Sequence, residues 1–199
     1  MPNTPTRKIL ILQGHPDAVE RHLGHRLAEA YAQGAAAAGH TVRTIEIATL
    51  DFPLLRSQHE WERGELPKSL DEAQAAIAWA DHLVLCFPLW LGDMPALLKG
   101  FLEQVARPGF AFKADGGNPF AHKGLAGRSA RIVVTMGMPA LVYRFFFAAH
   151  SVKSLERNIL GFVGIAPVRE TLVGNVEGLG DAGRAAWFAK LERLGRRAA

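Results

Sequence analysis

Cysteine is nearly absent from this chain: Cys86 is the single example in 199 residues. An internal disulfide framework is therefore excluded, and so is a zinc site built on thiolates. Cys86 lies in the apolar run His82-Leu83-Val84-Leu85-Cys86, where a small core residue is expected rather than a nucleophile. No apolar run approaches the length of a membrane span, and the polar opening Met1 to Arg7 carries no apolar signal region. The expectation is a soluble, cytoplasmic protein without membrane insertion, flexible over residues 1–7. Charge of one sign is also scarce. Lys and Arg number 23 against 19 Asp and Glu, a net charge of +4. Arg184, Lys190, Arg193, Arg196 and Arg197 set against Asp181 and Glu192 supply +3 of it. A solvated terminal helix accounts for that excess. No basic patch interleaved with aromatics is present, so no nucleic-acid partner is expected. Two phosphate-binding signatures are missing as well, the Walker lysine pattern and Gly-x-Gly-x-x-Gly. Their absence argues against ATP hydrolysis and against a standard Rossmann dinucleotide site.

Hydrophobic residues make up 49% of the chain and charged residues 21%, enough for a single domain over 1–199 with a full core. Lys8-Ile9-Leu10-Ile11-Leu12 is continuously apolar, which suits a strand buried on both faces. A helix is predicted from about Glu20 to Ala38, with Leu23, Leu27, Ala30 and Tyr31 on one face. Thr41 to Ile47 reads as a strand nearer the edge. Residues 48–67 read as a long loop, 68–80 as a helix and 81–87 as the central strand. A helix follows over 94–107, then a second long loop from Pro108 to Arg128. Ser129 to Thr135 is a fourth strand, 136–142 a turn, and a helix ends near Leu160. Residues 166–173 form a fifth strand and 181–197 a final helix. Five strand–helix repeats call for a parallel sheet with helices on both faces. The flavodoxin-like order 2-1-3-4-5 puts the ligand crevice at the carboxyl ends of strands one and three.

Three loops converge on that edge. The first, Gly14-His15-Pro16-Asp17 through His22, His25 and Arg26, precedes a helix N-terminus, where free amides and the helix dipole favour a phosphate. His15 sits on the loop itself. His22, Arg21, His25 and Arg26 add donors, although a plain amphipathic surface would also account for His25 and Arg26. The second loop, Pro88-Leu89-Trp90-Leu91-Gly92-Asp93-Met94-Pro95, is apolar, aromatic and held open by prolines. Such a wall suits the planar isoalloxazine ring of a flavin; the alternative is a tryptophan that anchors the loop to the core. The third, Thr135-Met136-Gly137-Met138 with Tyr143 beyond, offers a glycine for close approach and a phenol that could donate to a reduced ring. His150 lies seven residues on and could share that task. The alternative is a core tyrosine and a helix-capping histidine.

Taken together, Gly14-His15-Pro16, the segment from Phe87 to Phe101, and Pro108-Gly109-Phe110-Ala111-Phe112 resemble the flavodoxin-like NAD(P)H:quinone oxidoreductases, the DT-diaphorase-like group. That group includes bacterial quinone reductases and the ancillary flavoproteins of potassium-efflux systems. The resemblance implies FAD or FMN as cofactor, NADH or NADPH as donor, a quinone-like acceptor and ping-pong use of one pocket in a homodimer. By position it assigns flavin contacts to His15, Pro88, Leu89, Trp90, Leu91, Thr135, Met136, Gly137, Met138 and Tyr143, and His22 joins them as a candidate phosphate donor from the first loop. It assigns charge stabilisation to Tyr143 and to His150, which is one residue out of register. Trp90, Phe110, Phe112 and Tyr143 would wall the slot. The chain departs from the group at Glu20-Arg21-His22 and at Met136-Gly137-Met138, which leaves FAD and FMN both open. Two other readings share the flavin site: a regulatory subunit of a potassium-efflux or other transporter, and an electron carrier. The positive net charge disfavours the carrier.

Overall fold

The computed structural model describes residues 5–112 and 123–199. Five strands form one parallel sheet in the order β2-β1-β3-β4-β5: β1 (Lys8–Gln13), β2 (Thr41–Glu46), β3 (His82–Pro88), β4 (Ser129–Thr135) and β5 (Val168–Val173). This is the order the strand–helix alternation predicts. Register runs without a bulge, with Leu12 opposite Leu85 and Leu85 opposite Ile132.

The continuous apolar runs follow from burial on both faces. Leu10, Leu12, Leu83, Leu85, Phe87, Ile132 and Val134 feed one core. Their neighbours Ile9, Ile11, Val84, Cys86 and Val133 feed the other. Cys86 is fully buried, and burial pushes its thiol up to about 12, which leaves it an inert packing residue.

Helices α1 (Leu23–Ala37) and α8 (Asp181–Arg196) cover the second core, with Leu27, Tyr31 and Leu191 directed inward. They meet closely at two glycines. A Cβ on Gly34 would lie 2.0 Å from the Glu192 carbonyl oxygen, and one on Gly195 2.1 Å from that of Tyr31. The first core lies under α3 (Asp71–Trp79), α4 (Ala96–Val105) and the helical run that starts with α6 (His150–Ser154). That run continues through a wide turn, Leu155–Leu160, into α7 (Gly161–Val163).

Several boundaries differ from expectation. The stretch 48–67 contains a short helix, α2 (Gln58–Arg63), started by the Ser57 hydroxyl, which accepts from the Glu60 amide. The turn expected at 136–142 gives way to α5 (Ala140–Phe145) directly after Pro139. Helix α1 begins at Leu23 and not at Glu20, because the Asp17 carboxylate accepts the amides of Val19 and Glu20 and holds that stretch as a turn. Of the segment expected to be flexible, residues 1–4 lie outside the described residues. Arg7 is tied down: its amide donates to His40 Nδ1 and its carbonyl accepts from Thr41.

Candidate active site

The carboxyl ends of β1, β3 and β4 open into a cleft of about 530 Å³, within the usual range for small-molecule sites. It is lined by His15, Asp17, His22, Leu23, Gly24, Pro88, Leu89, Trp90, Thr135, Met136, Gly137, Val176 and Glu177. Hydrogen bonds continue past the strands and fix the loops relative to one another. The Gly14 amide donates to Cys86 O, that of Leu89 to Thr135 O and that of Met136 to Val173 O.

The first wall is a histidine cluster. The rings of His15 and His22 stack with centroids 3.9 Å apart and an interplanar angle of 18°. His22 Nε2 lies 2.8 Å from Asp17 Oδ2, and the Asp17 amide donates to His15 Nδ1. The loop is thereby closed on itself before α1 begins. The helix then presents the amides of Leu23 and Gly24, which have no acceptor within the first turn. Burial, with the facing imidazoles of His22 and His25, pulls His15 down to about 4, so its ring is neutral at pH 7. The Asp17 carboxyl is held down at about 2, first by the His22 hydrogen bond and then by the amides of Val19 and Glu20.

The facing wall is Trp90, half exposed, whose ring meets His15 edge-on at 5.8 Å. Trp90 and Asp93 exchange both backbone hydrogen bonds, which closes a two-residue turn with Leu91 and Gly92 both at positive φ. The turn throws Leu91 outward, fully exposed and away from the cleft. The third wall is Thr135-Met136-Gly137, with Thr135 and Met136 buried at the end of β4.

Eight expected site residues thus come together: His15, His22, Pro88, Leu89, Trp90, Thr135, Met136 and Gly137. Others do not. Tyr143 is buried in the core, its hydroxyl 2.6 Å from Ser151 Oγ and accepting the Val152 amide, because α5 and α6 fold over it. His150 is exposed at the start of α6. Met138 packs partly against the core, and its carbonyl accepts from Asn175. Phe112 meets Trp61 at a tilt and Phe162 edge-on, on the wall of a separate apolar cavity of about 570 Å³, and Phe110 packs against the core. His25 is buried under the first turn of α1 and accepts the His22 amide. Arg21 turns to Glu46 and Glu29, and Arg26 covers the Phe188 ring. Residues 113–122 of the long glycine-bearing loop lie outside the described residues.

The structure adds Asp17, Leu23, Gly24, Val176 and Glu177 to the cleft. Val176 and Glu177 follow β5, and the Val176 amide donates to Met136 O. The signal for them was topological: in a parallel sheet the loop after every strand leaves from the same edge, β5 included.

The chain matches the family model described as flavodoxin-like fold over residues 7–195. It belongs to that family. Among curated relatives, an "Uncharacterized NAD(P)H oxidoreductase" of Haemophilus influenzae is 28% identical over 181 residues, covering 89% of this chain and 88% of the relative. An "FMN-dependent NADH:quinone oxidoreductase" of Cereibacter sphaeroides is 30% identical over 173 residues, covering 82% of this chain and 75% of its own length. Among solved structures, the "NAD(P)H:quinone oxidoreductase from Methanothermobacter marburgensis" superposes with a TM-score of 0.79 at 26% identity, covering 96% of both chains. Within this flavodoxin-like family the strand order, the cleft and the direction of its opening are those at which α/β sheets take flat ligands.

Proposed function

We propose that this protein is a flavin-dependent NAD(P)H oxidoreductase that passes a hydride from NAD(P)H to a quinone-like acceptor. One observation carries the reading: a helix N-terminus with stacked histidines, a half-exposed tryptophan and a Thr-Met-Gly loop line a single cleft at the carboxyl edge of the sheet. Relatives named for FMN-dependent NADH:quinone oxidoreduction support it.

The residues fit a flavin. A Cβ placed on Gly24 would meet nothing within 4 Å, and one on Gly137 only the Glu177 carboxylate at 3.9 Å. Both glycines therefore leave room inside the cleft instead of filling it. The amides of Leu23 and Gly24, with His22, suit a phosphate, and one helix N-terminus favours FMN over FAD. Pro88, Leu89 and Trp90 suit the apolar face of the ring, and the Gly137 backbone its polar edge. When bound, the flavin supplies the hydride chemistry. The protein binds and orients it, and Trp90 borders the open side where donor and acceptor stack in turn. Glu177 and Asp17 bring negative charge to the same cleft, and Asp17 Oδ2 lies 2.8 Å from His22 Nε2.

Homodimerisation and a cytoplasmic location belong to the same proposal. Phe145 and Phe146 are 77% and 79% exposed, an apolar surface that suits a second copy of the chain. Sedimentation analysis tests the dimer. The activity is tested by the absorbance spectrum of the purified protein, followed by anaerobic addition of NADH or NADPH. Bleaching of a flavin band is expected; a protein that binds flavin yet is not reduced by either nucleotide overturns the proposal.

A further inference from the structure

The opposite edge of the sheet holds a second cavity, of about 560 Å³, that the redox chemistry does not use. It opens where the strands begin, some 20 Å from the cleft at about 3.3 Å per residue along a six-residue strand. Three arginines from distant parts of the sequence line it: Arg7 before β1, Arg169 in β5 and Arg197 after α8. Among the described residues, no ion pair engages any of the three. One acidic side chain shares the cavity, Asp81, and its Oδ2 accepts the Lys8 amide. Ala199 also lines the cavity, and its carboxylate is held by Arg131, which in turn donates to Thr171 Oγ1.

The inner wall is a small polar relay. Arg7 donates to Ser129 Oγ at 3.1 Å, and Ser129 Oγ lies 2.8 Å from His82 Nδ1. With the serine oxygen accepting from Arg7, its own hydrogen is the donor left for His82 Nδ1, which places the imidazole proton on Nε2. His82 is 1% exposed, and its Nε2 has no partner among the described residues. Burial, and then the charges of Arg7, Arg131 and Arg169, pull the His82 imidazole down to about 4. Like charges held together repel unless an anion sits among them, and guanidinium groups match oxyanions with parallel N–H donors.

We propose that this cavity binds the multiply charged phosphate group of a small molecule, with Arg7, Arg169 and Arg197 as its charge partners and Ser129 at its floor. The site does not depend on the flavin reading, and a ligand there would act on the same sheet from the far end.

Inorganic pyrophosphate is the probe, titrated calorimetrically at low salt into the protein as purified, with and without added FMN. Saturable one-site binding is expected, unaffected by FMN. It should weaken at least tenfold in Arg169→Gln and again in Arg197→Gln. Both positions are exposed, so circular dichroism and flavin content should be unchanged. Sulfate should bind more weakly than pyrophosphate. Absence of saturable binding, binding by both variants as tight as the parent's, competition by FMN, or an equal response to sulfate (an adventitious ion only) would overturn the assignment.

Discussion

His22 and Asp17 close the loop after β1 through a contact of 2.8 Å between Nε2 and Oδ2, and the same imidazole stacks on His15. His22 therefore shapes the cleft as much as it lines it. Because the folded-state Asp17 carboxyl sits at about 2, below its ordinary 3.8, the contact stabilises the loop above pH 4 and is lost as pH falls towards 2. His22→Ala removes the contact and frees the His15 ring. Flavin affinity should fall about tenfold, the ~1.4 kcal/mol expected for one charge-assisted hydrogen bond. Fluorescence titration of the apoprotein with FMN measures this, and an unchanged Kd would remove His22 from the binding site.

Acid stability should be set by buried histidines. His15 and His82 both titrate near 4 in the fold against 6.5 when unfolded. The unfolded chain thus takes up protons that the native state refuses, and stability falls as pH drops from 6.5 to 4, while above 6.5 these groups contribute no slope. For His82 the loss is roughly 2–3 kcal/mol across that window at 1.36 kcal/mol per pH unit. Thermal melts between pH 7 and 4 should show the decline. His82→Gln keeps a hydrogen-bonding side chain and should flatten it; a variant as acid-sensitive as its parent contradicts the assignment.

The α1–α8 contact makes a stability prediction with two opposed effects. Gly34→Ala gains about 1 kcal/mol of helix propensity. Its new Cβ, however, would sit 2.0 Å from a backbone oxygen of α8, which cannot yield as a side-chain tip can. Overpacking costs about 1–3 kcal/mol, more where backbone must move. A net loss of about 2 kcal/mol should lower Tm by ~6 °C for a domain of this size. Gly195→Ala should behave alike, and a rise in Tm for either would show that the helices can part.

Much of this architecture was legible because burial on both faces writes itself as unbroken apolar runs, as in Lys8 to Leu12 and His82 to Cys86. Residues at strand ends were legible for the same reason: His15, Trp90 and Gly137 fall where such a run stops. What lay beyond local pattern was missed. For Tyr143 the sequence leaves a ligand-facing phenol and a core tyrosine both open, and only the fold of α6 over α5, which brings Ser151 to its hydroxyl, places it in the core. Leu91 and Trp90 are adjacent, but a two-residue turn sends them in different directions. Val176 and Glu177 carry no motif and reach the cleft through backbone pairing with Met136.

Tyr143→Phe separates a catalytic hydroxyl from a structural one. The phenol is buried and bonded to Ser151 Oγ and the Val152 amide, so its removal leaves two polar groups short of a partner. A stability loss of about 1–2 kcal/mol is expected, with turnover within about twofold of the parent. Loss of two or more decades in kcat, the usual effect of removing a proton-handling group, would place the hydroxyl at the reacting atoms instead.

The loop after β3 makes the sharpest test, because its two central residues should respond in opposite ways. Trp90 lines the cleft and touches His15, whereas Leu91 is fully exposed and held at φ 48°, in the left-handed region that non-glycine residues occupy at a cost of about 1–2 kcal/mol. Asparagine tolerates that conformation better. Leu91→Asn should therefore raise Tm by ~2 °C and leave the Kd for FMN unchanged. Trp90→Ala should leave Tm within ~2 °C, since the ring is half exposed, and weaken FMN binding about tenfold or more through the lost stacking surface. Measured side by side by melting and fluorescence titration, the two variants distinguish a ring platform from a structural anchor. If Leu91→Asn weakens FMN binding as much as Trp90→Ala does, the whole turn and not the tryptophan forms the contact. If Trp90→Ala lowers stability with FMN affinity intact, Trp90 is the anchor of the loop and the flavin lies elsewhere.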